Sequence, residues 1–140
     1  MPKREHGAPG LLRSVANALV IAALRLGLPV PPYSRGNALL LETRGRKTGK
    51  RRLTPVGCYR EGERFYVVSE HGRNADYVRN ALAAGGKVRV FDDGRWHNAT
   101  LTLNEGEDVD AHLARMSRGH AALVRRLATT PAVLVIAPES

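Results

Sequence analysis

Leu39-Leu40-Leu41-Glu42-Thr43-Arg44-Gly45-Arg46-Lys47-Thr48-Gly49-Lys50-Arg51-Arg52-Leu53-Thr54-Pro55 joins two stretches of strand character through a basic, glycine-punctuated loop. Ala38 to Thr43 is short, apolar and bounded by turn residues, the pattern of a buried strand. Alternation resumes over Arg51 to Tyr59, and Glu61-Gly62-Glu63 then turns the chain into Arg64 to Ser69, a hairpin signal. Further out, Asn74 can cap a helix to about Ala84, with Asp76 in its first turn and Gly85-Gly86 as its stop. Lys87 to Phe91 and Arg95 to Leu103 flank the turn Asp92-Asp93-Gly94. Helical patterns follow from about Glu107 to Arg115 and from about Gly119 to Ala128, and Ala132 to Ile136 closes as an apolar strand. Six strands arranged as hairpins predict a mainly antiparallel sheet or barrel rather than a repeating βαβ fold.

On the amino-terminal side, Leu11, Leu12, Val15, Ala18, Leu19, Ala22 and Leu26 recur at helical spacing, and Gly27 and Pro29 stop that helix. It reads as a helix packed on the domain; the sharper alternative is a peripheral membrane contact. The division expected is a tail and amphipathic helix over 1–36 and a barrel over 37–140, one domain overall. Its best apolar run, Ala16 to Leu24, is too short to span a bilayer. Basic residues precede that run, but no small-residue cleavage site follows it, so no signal peptide is expected. Cys58 is the single cysteine, which excludes an intrachain disulfide and fits a reducing cytoplasm.

The net charge of +9 points to an anionic partner, and the position of the charge narrows the choice. Six cations fall between Arg44 and Arg52, beside two glycines and the Thr48 hydroxyl, so the loop can surround a phosphate or carboxylate. It is not a triphosphate-binding P-loop: three residues separate Gly45 from Gly49, Arg51 follows Lys50, and a strand comes next. Nucleic acid is disfavoured because stacking aromatics are missing from the stretch. A second segment, Ser69-Glu70-His71-Gly72-Arg73-Asn74-Ala75-Asp76-Tyr77-Val78-Arg79-Asn80, passes from strand through a Gly turn into a helix start, where amides favour an anion. Tyr77, Val78, Ala81 and Leu82 form its expected buried stripe. Asn80 lies beside the stripe and needs a polar partner, either structural or a ligand.

These two blocks in order, separated by a hairpin, resemble the deazaflavin (F420)-dependent nitroreductase family over about Leu39 to Pro138. The resemblance implies a six-stranded antiparallel split β-barrel with an N-terminal helix and flanking helices. It implies that the basic loop side, Arg46, Lys47, Thr48, Gly49, Arg52 and Pro55, holds the phosphate and oligoglutamate tail of coenzyme F420. The second segment, with Ser69, Gly72, Arg73, Asp76, Tyr77 and Asn80, would then line the deazaflavin ring and its linker. The hydride chemistry would belong to the coenzyme, so no catalytic triad or metal is expected. Some members carry an insertion before the Tyr77 helix and Trp in place of Tyr77. The shorter form here resembles another branch whose substrates are less defined, so nitro-compound reduction is not favoured over reduction of a quinone-like or other conjugated acceptor.

Tyr33, Tyr59 and His71 are candidate substrate-side donors. Two other classes stay open at this point: a split-barrel protein that binds F420 or another cofactor without turnover, and an FMN-dependent relative. FMN's single phosphate explains six loop cations less well than a long anionic tail does. A homodimer and a cytoplasmic location, with the membrane's inner face as an alternative, complete the expectations.

Overall fold

Side chains alternate sides along every apolar run, so a closed sheet can bury one face of each strand inside itself. The computed structural model does this with β1 (Ala38–Arg44), β2 (Arg51–Glu61), β3 (Arg64–Ser69), β4 (Lys87–Asp92), β5 (Arg95–Asn104) and β6 (Ala132–Pro138). All pairings are antiparallel and the strand order is β1-β2-β3-β6-β5-β4, closed into a barrel. Residues 18–23, 25–26, 38–92, 94–116 and 118–139 are described. Tyr33, the start of the expected N-terminal helix, the 29–32 connector and Asp93 lie outside them.

The interior takes Leu39 and Leu41 from β1, Val56 and Cys58 from β2, Phe65 and Val67 from β3, and matching pairs from the other strands. Helix α1 (Asp76–Ala83) adds Val78 and Ala81 to this core. A second cluster forms on the outer face, where Tyr59, Val68 and Val133 meet Leu113 of α2 (Val109–Leu113) and Ala121 and Val124 of α3 (Arg118–Leu127). With few aromatics, the barrel is filled by aliphatic side chains, each contributing ~1.5–3 kcal/mol when fully buried.

The barrel is unevenly zipped, and this positions the site. β2 pairs with β1 from Arg51 to Gly57 but with β3 only from Cys58 to Glu61. Among the described residues its first half therefore has one edge unpaired, where Pro55, lacking an N–H, costs no ladder bond. β1 and β4 share only three residue pairs, Leu40–Phe91, Leu41–Val90 and Glu42–Arg89.

Two expectations near α1 are corrected. Asn74 does not cap the helix; it ends a 3-10 turn (Gly72–Asn74), and Ala75 is the N-cap, with no side-chain bond. Leu82 is 44% exposed while Asn80 is buried. The buried face is rotated toward Asn80 because that amide bonds the basic loop.

Candidate cofactor cleft

The basic loop folds by consuming its own amides. The Gly45 N–H donates to the Lys50 carbonyl at 2.8 Å, and the Gly49 N–H donates to the Gly45 carbonyl at 2.7 Å. The Lys50 N–H donates to Thr48 Oγ1 at 3.2 Å, and the Arg46 N–H donates to Asn80 Oδ1 at 3.1 Å. Gly49 takes φ +70°, which disfavours any side chain there. Among the described residues, the amides of Lys47 and Thr48 are left without a hydrogen bond. Two successive amides beside cations make an anion cradle.

The Arg46 side chain is pinned as well. Its Nη1 donates to Asn80 Oδ1 at 2.8 Å and its Nη2 to Asp76 Oδ1 at 3.3 Å. A cleft of about 600 Å³ opens here, lined by Arg46, Lys47, Arg51, Arg52, Tyr77 and Asn80 among others. Thr48 and Asp76 also line it. Four of the six cations therefore face one cavity. Arg44 lines a separate cavity with Lys87 and Arg89. Within the cleft wall, Thr43 is 2% exposed and its Oγ1 has no hydrogen-bond partner among the described residues.

Arg51 was counted among the loop cations but not singled out as a site residue, because the resemblance carried over only Arg52 of this pair. Both line the cleft at the frayed start of β2. Arg51 Nε donates to Glu42 Oε2 at 2.7 Å, and Arg89 Nη1 donates to the same oxygen at 3.4 Å. Both guanidiniums lie over the Trp96 ring, 5.1 and 5.2 Å from its centroid. Glu42 is 3% exposed, and its carboxylate is met by two cations that themselves stack on Trp96.

A second cavity, about 180 Å³, lies where β2 and β3 part, lined by Pro55, Ser69, His71, Tyr77 and His120 among others. Thr54 and Tyr77 line both spaces, so the two adjoin through them. His120 was also missed. It is 4% exposed, and a Cβ on Gly57 would fall within 2.3–2.5 Å of its ring atoms. Burial pushes the His120 imidazole below its ordinary pKa, because desolvation disfavours the charged form. Burial likewise raises the Cys58 thiol to about 12, as befits a small apolar core residue.

Other candidates are placed apart from the cleft. Ser69 Oγ donates to the Gly72 carbonyl at 3.0 Å, and Gly72, at φ +54°, approaches the Thr130 carbonyl too closely for a Cβ. His71 Nδ1 and Thr129 Oγ1 are 2.9 Å apart, which ties this corner to the loop before β6. Arg73 pairs with Glu105, and this bond lowers the Glu105 carboxyl pKa. Arg73 lines neither cavity. Tyr59 is buried in the outer cluster, hydrogen-bonded to His112, and also lines neither. Tyr33 lies outside the described residues.

The sequence profile of the F420H(2)-dependent quinone reductase family matches residues 24–137. The chain belongs to that family. It is an oxidoreductase that works with coenzyme F420. No curated protein matches. Among solved structures, an F420-H2-dependent reductase, FDR-A, is 23% identical and superposes with a TM-score of 0.54, covering 71% of this chain and 93% of that one. The haem storage protein HutZ of Vibrio cholerae is 14% identical, TM-score 0.56, covering 89% and 91%. The General Stress Protein 26 of Bacillus anthracis is 13% identical, TM-score 0.53, covering 74% and 80%. These likenesses carry the split-barrel fold.

The residues present fit the coenzyme. A deazaflavin with a phosphate and a carboxylate tail needs several cations and free amides beside a ring-sized slot. The cleft offers Arg46, Lys47, Arg51 and Arg52, two unbonded amides, and Tyr77 at the entrance to the second cavity.

Proposed function

We propose that the chain reduces a quinone-like, nitro or other conjugated acceptor, with the first cleft holding F420H2 and the second cavity receiving the acceptor. The observation that carries this reading is the junction at Tyr77 and Thr54 between a cationic cleft and a smaller cavity lined by histidines. The coenzyme, when bound, supplies the hydride. The chain's own residues bind, orient and exclude water.

In this reading Lys47, Thr48 and the cations Arg46, Arg51 and Arg52 neutralise the phosphate and tail, fixing the coenzyme from its charged end. Tyr77 packs on the ring side. Pro55 and Ser69 shape the acceptor cavity, and His71 and His120 bring N–H groups to its wall. An imidazole N–H can donate a hydrogen bond to a carbonyl or nitro oxygen as negative charge develops there. Among the described residues of the amino-terminal segment, Leu19 and Leu26 are 66% and 75% exposed. These apolar side chains support an acceptor taken from a lipid surface, reached by peripheral contact. Among the described residues no helix is long and apolar enough to cross a membrane. A homodimer is part of the same reading, since split barrels bury sheet faces against each other.

Anaerobic oxidation of F420H2 tests the acceptor assignment, with a short-chain menaquinone analogue and a nitroaromatic compared under identical conditions. Faster turnover with the quinone supports a quinone reductase. Binding of F420H2 without turnover of either would leave a cofactor carrier instead.

A further inference from the structure

Asn80 is buried, 6% exposed, and presents a single oxygen to two donors of one residue: the Arg46 main-chain N–H at 3.1 Å and its Nη1 at 2.8 Å. Asp76, one turn earlier on α1, takes the other guanidinium nitrogen at 3.3 Å. The loop between β1 and β2 is thereby latched to α1 at both the backbone and the side chain of Arg46. Among the described residues, the remaining loop bonds, Gly45 to Lys50, Gly49 to Gly45 and Lys50 to Thr48, close the loop on itself. The Asn80 oxygen is thus the buried element of the latch, whereas Asp76 is 86% exposed and screened by water.

We propose that Asn80 is a positioning residue for anion binding: it acts through Arg46, holding the loop so that the Lys47 and Thr48 amides and the basic side chains converge on the cleft. This rests on the cofactor reading above, and departs from the expectation that Asn80 touches the ligand directly. With its oxygen committed to two Arg46 donors, the amide's acceptor capacity is spent on the loop. The function required of position 80 is an acceptor rather than a donor, and this separates the two roles experimentally.

The test is a double-mutant cycle on the full chain, read as F420 affinity by fluorescence titration. Arg46→Ala removes a charged ligand contact and the side-chain half of the latch while keeping the main-chain bond to Asn80, and about a thirtyfold loss is expected. Asn80→Ala should lose about tenfold. In the Arg46→Ala background, Asn80→Ala should cost clearly less than about tenfold, since only the main-chain bond of position 46 is left for Asn80 to hold. Asn80→Asp keeps the oxygen for Arg46 and should recover most of the affinity lost by Asn80→Ala. If the losses multiply, or if Asn80→Asp binds no better than Asn80→Ala, Asn80 contacts the coenzyme itself and the proposal fails.

Limited trypsin digestion without any ligand gives an independent reading. Cleavage within 44–50 should be several-fold faster in Asn80→Ala than in wild type or Asn80→Asp, because the loop is released. Equal rates overturn the proposal. Failure of wild-type protein to bind F420 would instead overturn the cofactor reading, while the digestion still decides the latch.

Discussion

His120 packs against the bare Cα of Gly57, and this contact depends on the absence of a single methyl group. An added Cβ at Gly57 meets the imidazole at 2.3–2.5 Å, so Gly57→Ala must displace a buried ring. The expected cost is about 1–3 kcal/mol in urea denaturation. In a His120→Ala background the same substitution should cost less than about 0.5 kcal/mol, since the clash is gone; equal costs in both backgrounds would show that the ring is not the obstacle. The depressed pKa of His120 has its own consequence. The unfolded chain binds this proton more readily than the folded one, so His120's contribution is fully present above about pH 6.5 and is lost as pH falls through the depressed folded value. Comparing stability at about pH 8 and about pH 5.5, wild type should lose more than His120→Gln. Equal losses would place the titration elsewhere. Neither residue stood out in the sequence: a lone histidine in a helical pattern and a lone glycine in a strand acquire meaning only when tertiary packing brings them together. Arg46, Lys47 and Thr48 were legible because charge and glycine spacing are local.

Strands and turns were legible for a different reason. Gly62 and Gly94 occupy positive φ at the two hairpin turns read from Glu61-Gly62-Glu63 and Asp92-Asp93-Gly94, and the period of two set which strand residues face inward. The start of α1 was less legible, because Asn74 looks like a cap by residue type while the chain spends it on a 3-10 turn dictated by Gly72. α2 behaves in the ordinary way. Asp108 accepts from the Asp110 and Ala111 amides at 3.0 and 3.3 Å, capping a helix only five residues long. So short a helix has little stability of its own. Asp108→Ala should therefore destabilise the protein by about 0.5–2 kcal/mol, seen in thermal unfolding, with F420 affinity unchanged because α2 lines neither cavity. A loss of affinity would mean that the outer cluster communicates with the cleft.

For the whole molecule, the barrel's two incomplete seams matter more than its closure. β2 leaves β3 early, and β1 is held to β4 by three pairs, so cavities open where strands part. Four of the six cations of the β1–β2 loop region face one of these openings. What the sequence left hidden was how those cations are divided: Arg44 turns to another cavity and Arg51 is fixed by the buried Glu42. The measurement that bears most directly on the cleft is a fluorescence titration with F420 and, separately, FMN, repeated with Arg46→Ala/Arg52→Ala. Saturable binding of F420, much weaker binding of FMN, and at least about a hundredfold loss in the double variant are expected from two charged contacts. F420 binding that survives the double substitution unchanged would contradict the assignment and move the coenzyme to another surface of the barrel.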